Sequence, residues 1–326
     1  MTQLSRREFA ALAAGAAVSP LAIGLSPAQA ASITAQELID RIRAQIGVAW
    51  KPETVDGVKA GEPTTVVTGI VTTALASLSV LQQAVKAGAN VVIASQPVFY
   101  AKADARTPPA RRGPGGPAGP GGSPPAGASQ APAAAAAPAE PPPADAVFTA
   151  KNAFIDQHKL VVIRLSDHWR LREPDPLAQG LGAAMGWTSL QVAGNPRRYD
   201  VPALTVAALV AALEKKLGAN GGLRVVGDPK TNVRRIGILP GSTAIQASLE
   251  LLPSVDAIVG GEVREWESVE YARDVVAAGG KKALILVGRI VSEEPGMRVC
   301  ADWLKTIAPG LPVRHIAAGD PYWRPA

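Results

Sequence analysis

The sequence predicts an α/β protein with parallel or mixed sheets flanked by helices. Three observations carry this. Short β-branched runs alternate with segments of helical period, several helical segments stop at a glycine, and the alternation resumes after a low-complexity interruption. Alternating order favours parallel crossover units, while order alone leaves the topology open.

In chain order, residues 1–30 read as an export signal. Ser5-Arg6-Arg7-Glu8-Phe9 precedes an Ala- and Leu-rich stretch that runs to Leu25, and Ala28-Gln29-Ala30 supplies small residues for cleavage after Ala30. Paired Arg6 and Arg7 closely followed by Phe9 point to the twin-arginine route, a receptor-read address that carries folded cargo. The expected partner is the twin-arginine export machinery, and the expected location is periplasmic or extracellular with no membrane attachment after cleavage. The alternatives are a plain N-terminal helix or an uncleaved anchor, and the apolar run is short for a span.

The first crossover unit is Val66 to Thr72 as a strand, Leu78 to Ala87 as a helix ending at Gly88, and Val91 to Ala94 as a buried strand. Residues 107–146 interrupt it with 12 of the 29 prolines and four charged residues, a composition that buries too little to offset its ordering entropy; a disordered insertion is expected there. The folded part is therefore expected in two segments, 31–106 and 147–326. The pattern resumes with a helix over Ala150 to His158, a strand over Leu160 to Leu165 and a helix over Asp175 to Met185. Next come a helix over Leu204 to Leu217, strands at Gly222 to Gly227 and Arg235 to Leu239, and a helix over Thr243 to Leu252. The reading ends with a strand at Ala257 to Val259, a helix over Glu265 to Ala278, a strand at Ala283 to Val287, a helix over Gly296 to Ile307 and a last strand at Val313 to Ala317.

Composition narrows the function. The 33 basic and 27 acidic residues are spread along the chain without a Lys/Arg cluster, so no nucleic-acid partner is expected. Cys300 is the only cysteine, which excludes an intramolecular disulfide, a CxxC pair and a cysteine zinc cluster, and its helical setting suggests packing. No Gly-x-Ser-x-Gly elbow is present. Leu239-Pro240-Gly241-Ser242-Thr243 lacks the P-loop ending and reads as a helix cap, and Glu262, Glu265 and Glu267 suit a helix start. Trp169, Trp187, Trp266, Trp303 and Trp323 read as core or interface anchors, and His158 and His315 as structural or solvent-facing.

Three stretches together resemble the Nif-three-like dinuclear-metal proteins, often labelled GTP cyclohydrolase 1 type 2 homologues. They are Trp50-Lys51-Pro52 through Gly69-Ile70-Val71 to Gly88–Tyr100, then Leu160 to Leu171 with Ser166-Asp167-His168-Trp169-Arg170, and Gly261-Glu262 through Val287-Gly288-Arg289 to Ser292-Glu293-Glu294-Pro295-Gly296. The resemblance covers the chain after residue 30 apart from the insertion. It implies a two-lobed Nif-three-like α/β protomer with mixed sheets, a hexameric ring, and two metal ions held between the lobes by His and carboxylate groups.

Carried over residue by residue, the family's ligand positions are occupied here by Ser95, Gln96, Ser166, Arg170, Arg289 and Glu293. Only Glu293 is an ordinary metal ligand. Ser and Gln are weak neutral donors, and a guanidinium stays protonated and repels a cation. No cofactor is therefore expected. The alternative is one divalent ion held by Asp167, His168 and Glu293, which needs an irregular backbone because neighbours on a strand face opposite ways. Arg170 and Arg289 admit two readings. They bind a small anion by fork geometry, or they pair with Glu293 and neutralise it; the second is preferred, since a carboxylate buried without its metal needs a counter-charge. The sequence thus favours an exported, non-catalytic small-ligand-binding or scaffold protein with a degenerate dinuclear metal site. A metal-dependent hydrolase of the cyclohydrolase-homologue kind is the rival, and enzymatic activity is left undecided.

Overall fold

A computed structural model describes residues 32–108, 145–219 and 222–322. The export signal, most of the 107–146 insertion and Trp323 lie outside the described residues. In chain order the elements are α1 (Ala35–Gln45), β1 (Gly57–Ala60), β2 (Ile70–Thr73), α2 (Leu78–Lys86), β3 (Val91–Ala94), α3 (Ala146–Gln157), β4 (Val161–Arg164), α4 (Asp167–Leu171) and α5 (Pro176–Met185). They continue with β5 (Arg198–Thr205), α6 (Val206–Leu217), β6 (Arg224–Val226), β7 (Asn232–Ser242), α7 (Ile245–Leu251), β8 (Ala257–Glu262), α8 (Glu270–Ala277), β9 (Ala283–Leu286), α9 (Arg289–Ile307) and β10 (Val313–His315).

Two mixed sheets of five strands result, each with helices on both faces. The first runs β1-β4-β3-β2-β10, parallel except for β1 at one edge. The second runs β5-β7-β8-β9-β6, with β7, β8 and β9 parallel and antiparallel β5 and β6 at the edges. Period-two alternation divides the side chains. In the first sheet Ile70, Val91, Ile93, Val161 and Ile163 face a core with α1 and α9, while Val71, Val92, Ala94 and Val162 face one with α2 and α3. In the second, Ile236, Ile238, Val259 and Ile285 join the side chains of α5 and α6, while Leu239, Ile258, Leu284 and Leu286 join those of α7 and α8. Strands covered on both faces are largely apolar, which is why β3 and β9 read as unbroken apolar runs, while β2 ends in Thr72 and Thr73 and β4 in Arg164.

The 19-residue α9 links the sheets. It leaves β9 of the second sheet, contributes Val291 to that sheet's core, and then packs Met297, Cys300 and Leu304 into the first sheet's core before β10. Its start lies seven residues ahead of the expected Gly296, so Pro295-Gly296 falls inside the helix. Gly296 is required there: Cβ atoms added at Gly180 of α5 or Gly296 would stand 2.5 and 2.4 Å from the facing helix. Elements the sequence reading passed over are α1, β1, α4 and β5. The strand expected over Leu160–Leu165 gives way to a helix at Asp167, so Asp167 and His168 do not lie on a strand. The strand expected to end at Leu239 continues as β7 to Ser242, through most of the segment whose sequence reads as a helix cap. The helix expected from Glu265 opens with a π-helical turn over Glu265–Val269 before α8.

Candidate functional site

The junction of the two sheets is occupied by a carboxylate with no exposure to solvent. Glu293 lies near the start of α9, and its two oxygens are met from three directions. Ser95, just past β3, donates its hydroxyl to Oε2 at 2.6 Å. Gln96 donates Nε2 to both oxygens at 2.7 Å. Arg170 of α4 makes a direct hydrogen-bonded ion pair with Oε1. Arg289, one turn earlier on α9, places Nε 3.7 Å from the same oxygen, close enough for charge and too far for a hydrogen bond. Five of the six positions singled out in the sequence thus meet at one carboxylate.

Two glycines and a serine complete the cluster, and none of them was singled out as a site residue from the sequence. Gly241, at the end of β7 with φ +79°, lies so close that a Cβ would stand 2.6 Å from both Arg170 Nη2 and Glu293 Oε1. Its N–H donates to the Ser292 hydroxyl at 2.9 Å. A Cβ on Gly261 of β8 would stand 2.3 Å from the Gly241 carbonyl oxygen. Only residues without side chains let the second sheet approach an ion pair this closely.

The sixth position, Ser166, acts through its backbone. Asp56 accepts the N–H groups of Ser166, Asp167 and His168 at 2.6, 3.0 and 2.9 Å, so a carboxylate distant in sequence caps the short helix α4. His168 is fully buried, stacked on Trp50 with ring centroids 3.8 Å apart. Its Nε2 accepts the Lys51 N–H at 2.9 Å and its Nδ1 lies 2.7 Å from Asp56 Oδ2. Since Nε2 accepts, the ring proton sits on Nδ1 and donates to Asp56. Asp167 accepts from the Thr54 hydroxyl at 2.9 Å and the Val55 N–H at 3.1 Å. Burial pushes its pKa up, but those two hydrogen bonds and the charge of Arg164 outweigh it and hold the carboxyl below its ordinary value. Both side chains therefore anchor the Trp50–Asp56 segment and fix α4, which in turn delivers Arg170 to Glu293.

The donor set does not fit a dinuclear metal centre. One carboxylate already filled by hydroxyl, amide and guanidinium donors offers no open oxygen pair, and a guanidinium in contact with it would repel an entering cation. Among the described residues, no three His, Cys, Asp or Glu side chains come together as a metal site requires. His315 is tied elsewhere, with Nε2 3.2 Å from Glu294 Oε2 and Nδ1 3.4 Å from the Thr72 hydroxyl. Cys300 is buried in α9, and burial pushes its thiol pKa far up.

Two open cavities flank the cluster. A groove of about 980 Å³ is walled by Arg170–Asp175, Thr188 and Gln191–Arg197. A second of about 610 Å³ includes Arg289, Gly261, Glu262 and Arg224. Arg170 and Arg289 therefore each connect the buried carboxylate to a solvent-accessible space.

Solved structures share this fold. A hypothetical protein of Staphylococcus aureus, SA1388, is 15% identical with a TM-score of 0.59, over 90% of this chain and 99% of its own. Protein ybgI, of unknown function, is 20% identical with a TM-score of 0.59, over 89% and 100%. A Bacillus cereus protein related to NIF3 is 12% identical with a TM-score of 0.58, over 90% and 99%. At these identities the likeness establishes the fold, that of NIF3-related proteins. No protein-family model and no curated protein sequence matches the chain.

Proposed function

We propose that this chain is an exported Nif-three-like protein in which an ion-pair cluster takes the place of the dinuclear metal centre, and that it acts as a non-catalytic small-ligand-binding or scaffold protein. The observation that carries the reading is the state of Glu293. It is wholly buried, and Ser95, Gln96 and Arg170 engage both of its oxygens. Without an open ligand pair there is no place for a metal-bound water nucleophile, so metal-assisted hydrolysis lacks its central group. What remains is an ion-paired junction between two sheets with open cavities on either side. Export by the twin-arginine route and assembly into a homo-oligomer belong to the same reading and rest on the sequence.

Metal content of the cleaved protein, purified without chelators or an affinity tag and measured by plasma mass spectrometry, tests it. The expected stoichiometry is below about 0.1 ion per protomer, because a filled carboxylate and a contacting guanidinium leave no coordination shell. Near-stoichiometric metal that is lost on Glu293→Gln substitution would overturn the reading in favour of a metal-dependent hydrolase.

A further inference from the structure

The groove beside Arg170 holds a second arginine whose situation the ion-pair cluster does not explain. Arg172 follows α4 directly, and its guanidinium lies over the indole faces of Trp169 and Trp303, 5.1 and 4.7 Å from the ring centroids. Trp169 of α4 is buried and Trp303 of α9 is half-buried against the first sheet's core. The arginines lining this groove differ in employment. Arg170 is bonded to Glu293, and Arg197 donates Nη2 and Nε to Asp175 at 2.9 and 3.2 Å. Arg172 has no hydrogen bond or ion pair among the described residues, not even with its chain neighbour Glu173, and its Nη1 is shut off from solvent without a partner.

A guanidinium carries five N–H donors; in Arg172 no protein group meets those of Nε and Nη2, which are left to solvent or to a ligand. Ring faces satisfy the charge in part and leave the N–H groups unused. Nη1 is closed to the groove, and the edge formed by Nε and Nη2, which is neither closed off nor bonded, is the fork that takes a planar oxyanion by two parallel bonds. The groove around it, about 980 Å³, has the size of small-molecule sites. Its wall adds the polar side chains of Thr188, Gln191 and Asn195 beside the apolar surface of Val192, Ala193 and Pro196.

We infer that this groove binds a small organic oxyanion, a carboxylate or phosphate monoester, with Arg172 gripping the oxyanion and the 188–197 wall holding its organic body. The inference rests on the ligand-binding reading above and supplies its ligand class. It differs from an anion site at Arg170 and Arg289, because those two face a carboxylate already in place.

Isothermal titration of the whole mature protein with benzoate, phenyl phosphate and inorganic phosphate tests it. Benzoate or phenyl phosphate is expected to bind with a dissociation constant of about 1 mM or tighter, and inorganic phosphate more weakly because it lacks the organic body. Arg172→Lys keeps the charge and loses the fork, so it should weaken binding about tenfold or more, whereas Arg298→Lys on an exposed face of α9 should leave it unchanged. If circular dichroism shows that Arg172→Lys does not fold, Gln191→Glu replaces it, placing a carboxylate in the groove wall, and should weaken binding to a similar degree. Silence toward both organic probes, or equal affinity in wild type and the folded variant, overturns the inference. Its failure is distinct from failure of the preceding reading: metal at Glu293 would remove that reading while the Arg172 titration still decides this one.

Discussion

Glu293 has no contact with solvent, so its charge must be matched inside the fold. Arg170 does this directly, while Ser95 and Gln96 fill the remaining lone pairs without adding charge. Arg289 stands at 3.7 Å and is 39% exposed, so solvent screens its share. The two arginines are therefore unequal. Arg170→Met should destabilise the protein by about 3 kcal/mol, the cost of leaving a buried carboxylate short of its counter-charge, whereas Arg289→Met should cost under about 1 kcal/mol. Denaturant unfolding measures both. Glu293→Gln in the Arg170→Met background should recover most of the loss, and an unchanged loss there would show that Arg170 stabilises by packing alone. That these residues meet was legible in the sequence only through their places in the resemblance, since neither spacing nor composition joins Ser95 to Glu293 across 198 positions. The role of Asp56 was not legible at all: a carboxylate capping a helix more than 100 residues away leaves no local signal.

At the scale of elements, the tightest constraint is the crossing of α5 and α9. Gly180 lies against the backbone of Gly296, and Gly296 against Leu177, with no room for a methyl group on either side. This contact sets how deeply α9 sits, and so where Glu293 and Arg289 stand relative to β7 and β8. Gly180→Ala should cost about 2 kcal/mol or more in denaturant unfolding despite alanine's better helix propensity, because overpacking outweighs the fraction of a kcal/mol gained. A stabilising substitution would mean that the helices part without strain. The elements visible in the sequence were those with a strong period or an unbroken apolar run, such as β3, whose predicted and observed limits coincide at Val91–Ala94. Those that escaped had weak or misleading signals. β5 carries Pro202, which argues against a strand in general and is tolerated here because β5 is an edge. α4 is five residues long, too short to display a helical period. The start of α9 was obscured by Pro295, whose missing N–H ordinarily marks a break.

For the whole molecule, the fold and the proposed route of export make compatible demands. The twin-arginine route carries folded cargo, and a protein built this way needs neither an oxidising compartment nor a disulfide to fold. Its sheets are covered on both faces by helices, and its single thiol, Cys300, is sealed in the core of α9 with its pKa raised by burial. A thiolate is the reactive form, so this cysteine is protected from oxidation in any compartment as long as the protein stays folded. On the proposed reading, export depends on the address alone. In a bacterial host that carries the pathway, the wild-type chain should appear in the periplasmic fraction with Ala31 as its first residue. Arg6→Lys combined with Arg7→Lys should hold it in the cytoplasm at full length, because the substitution keeps the charge of the segment and removes the paired guanidinium groups that the receptor reads. If the paired-lysine chain were still exported and cleaved, the segment would be acting through its charge and apolar run as a general secretory signal. The protein would then cross the membrane unfolded, and the ion pair between Arg170 and Glu293 would have to assemble outside the cytoplasm.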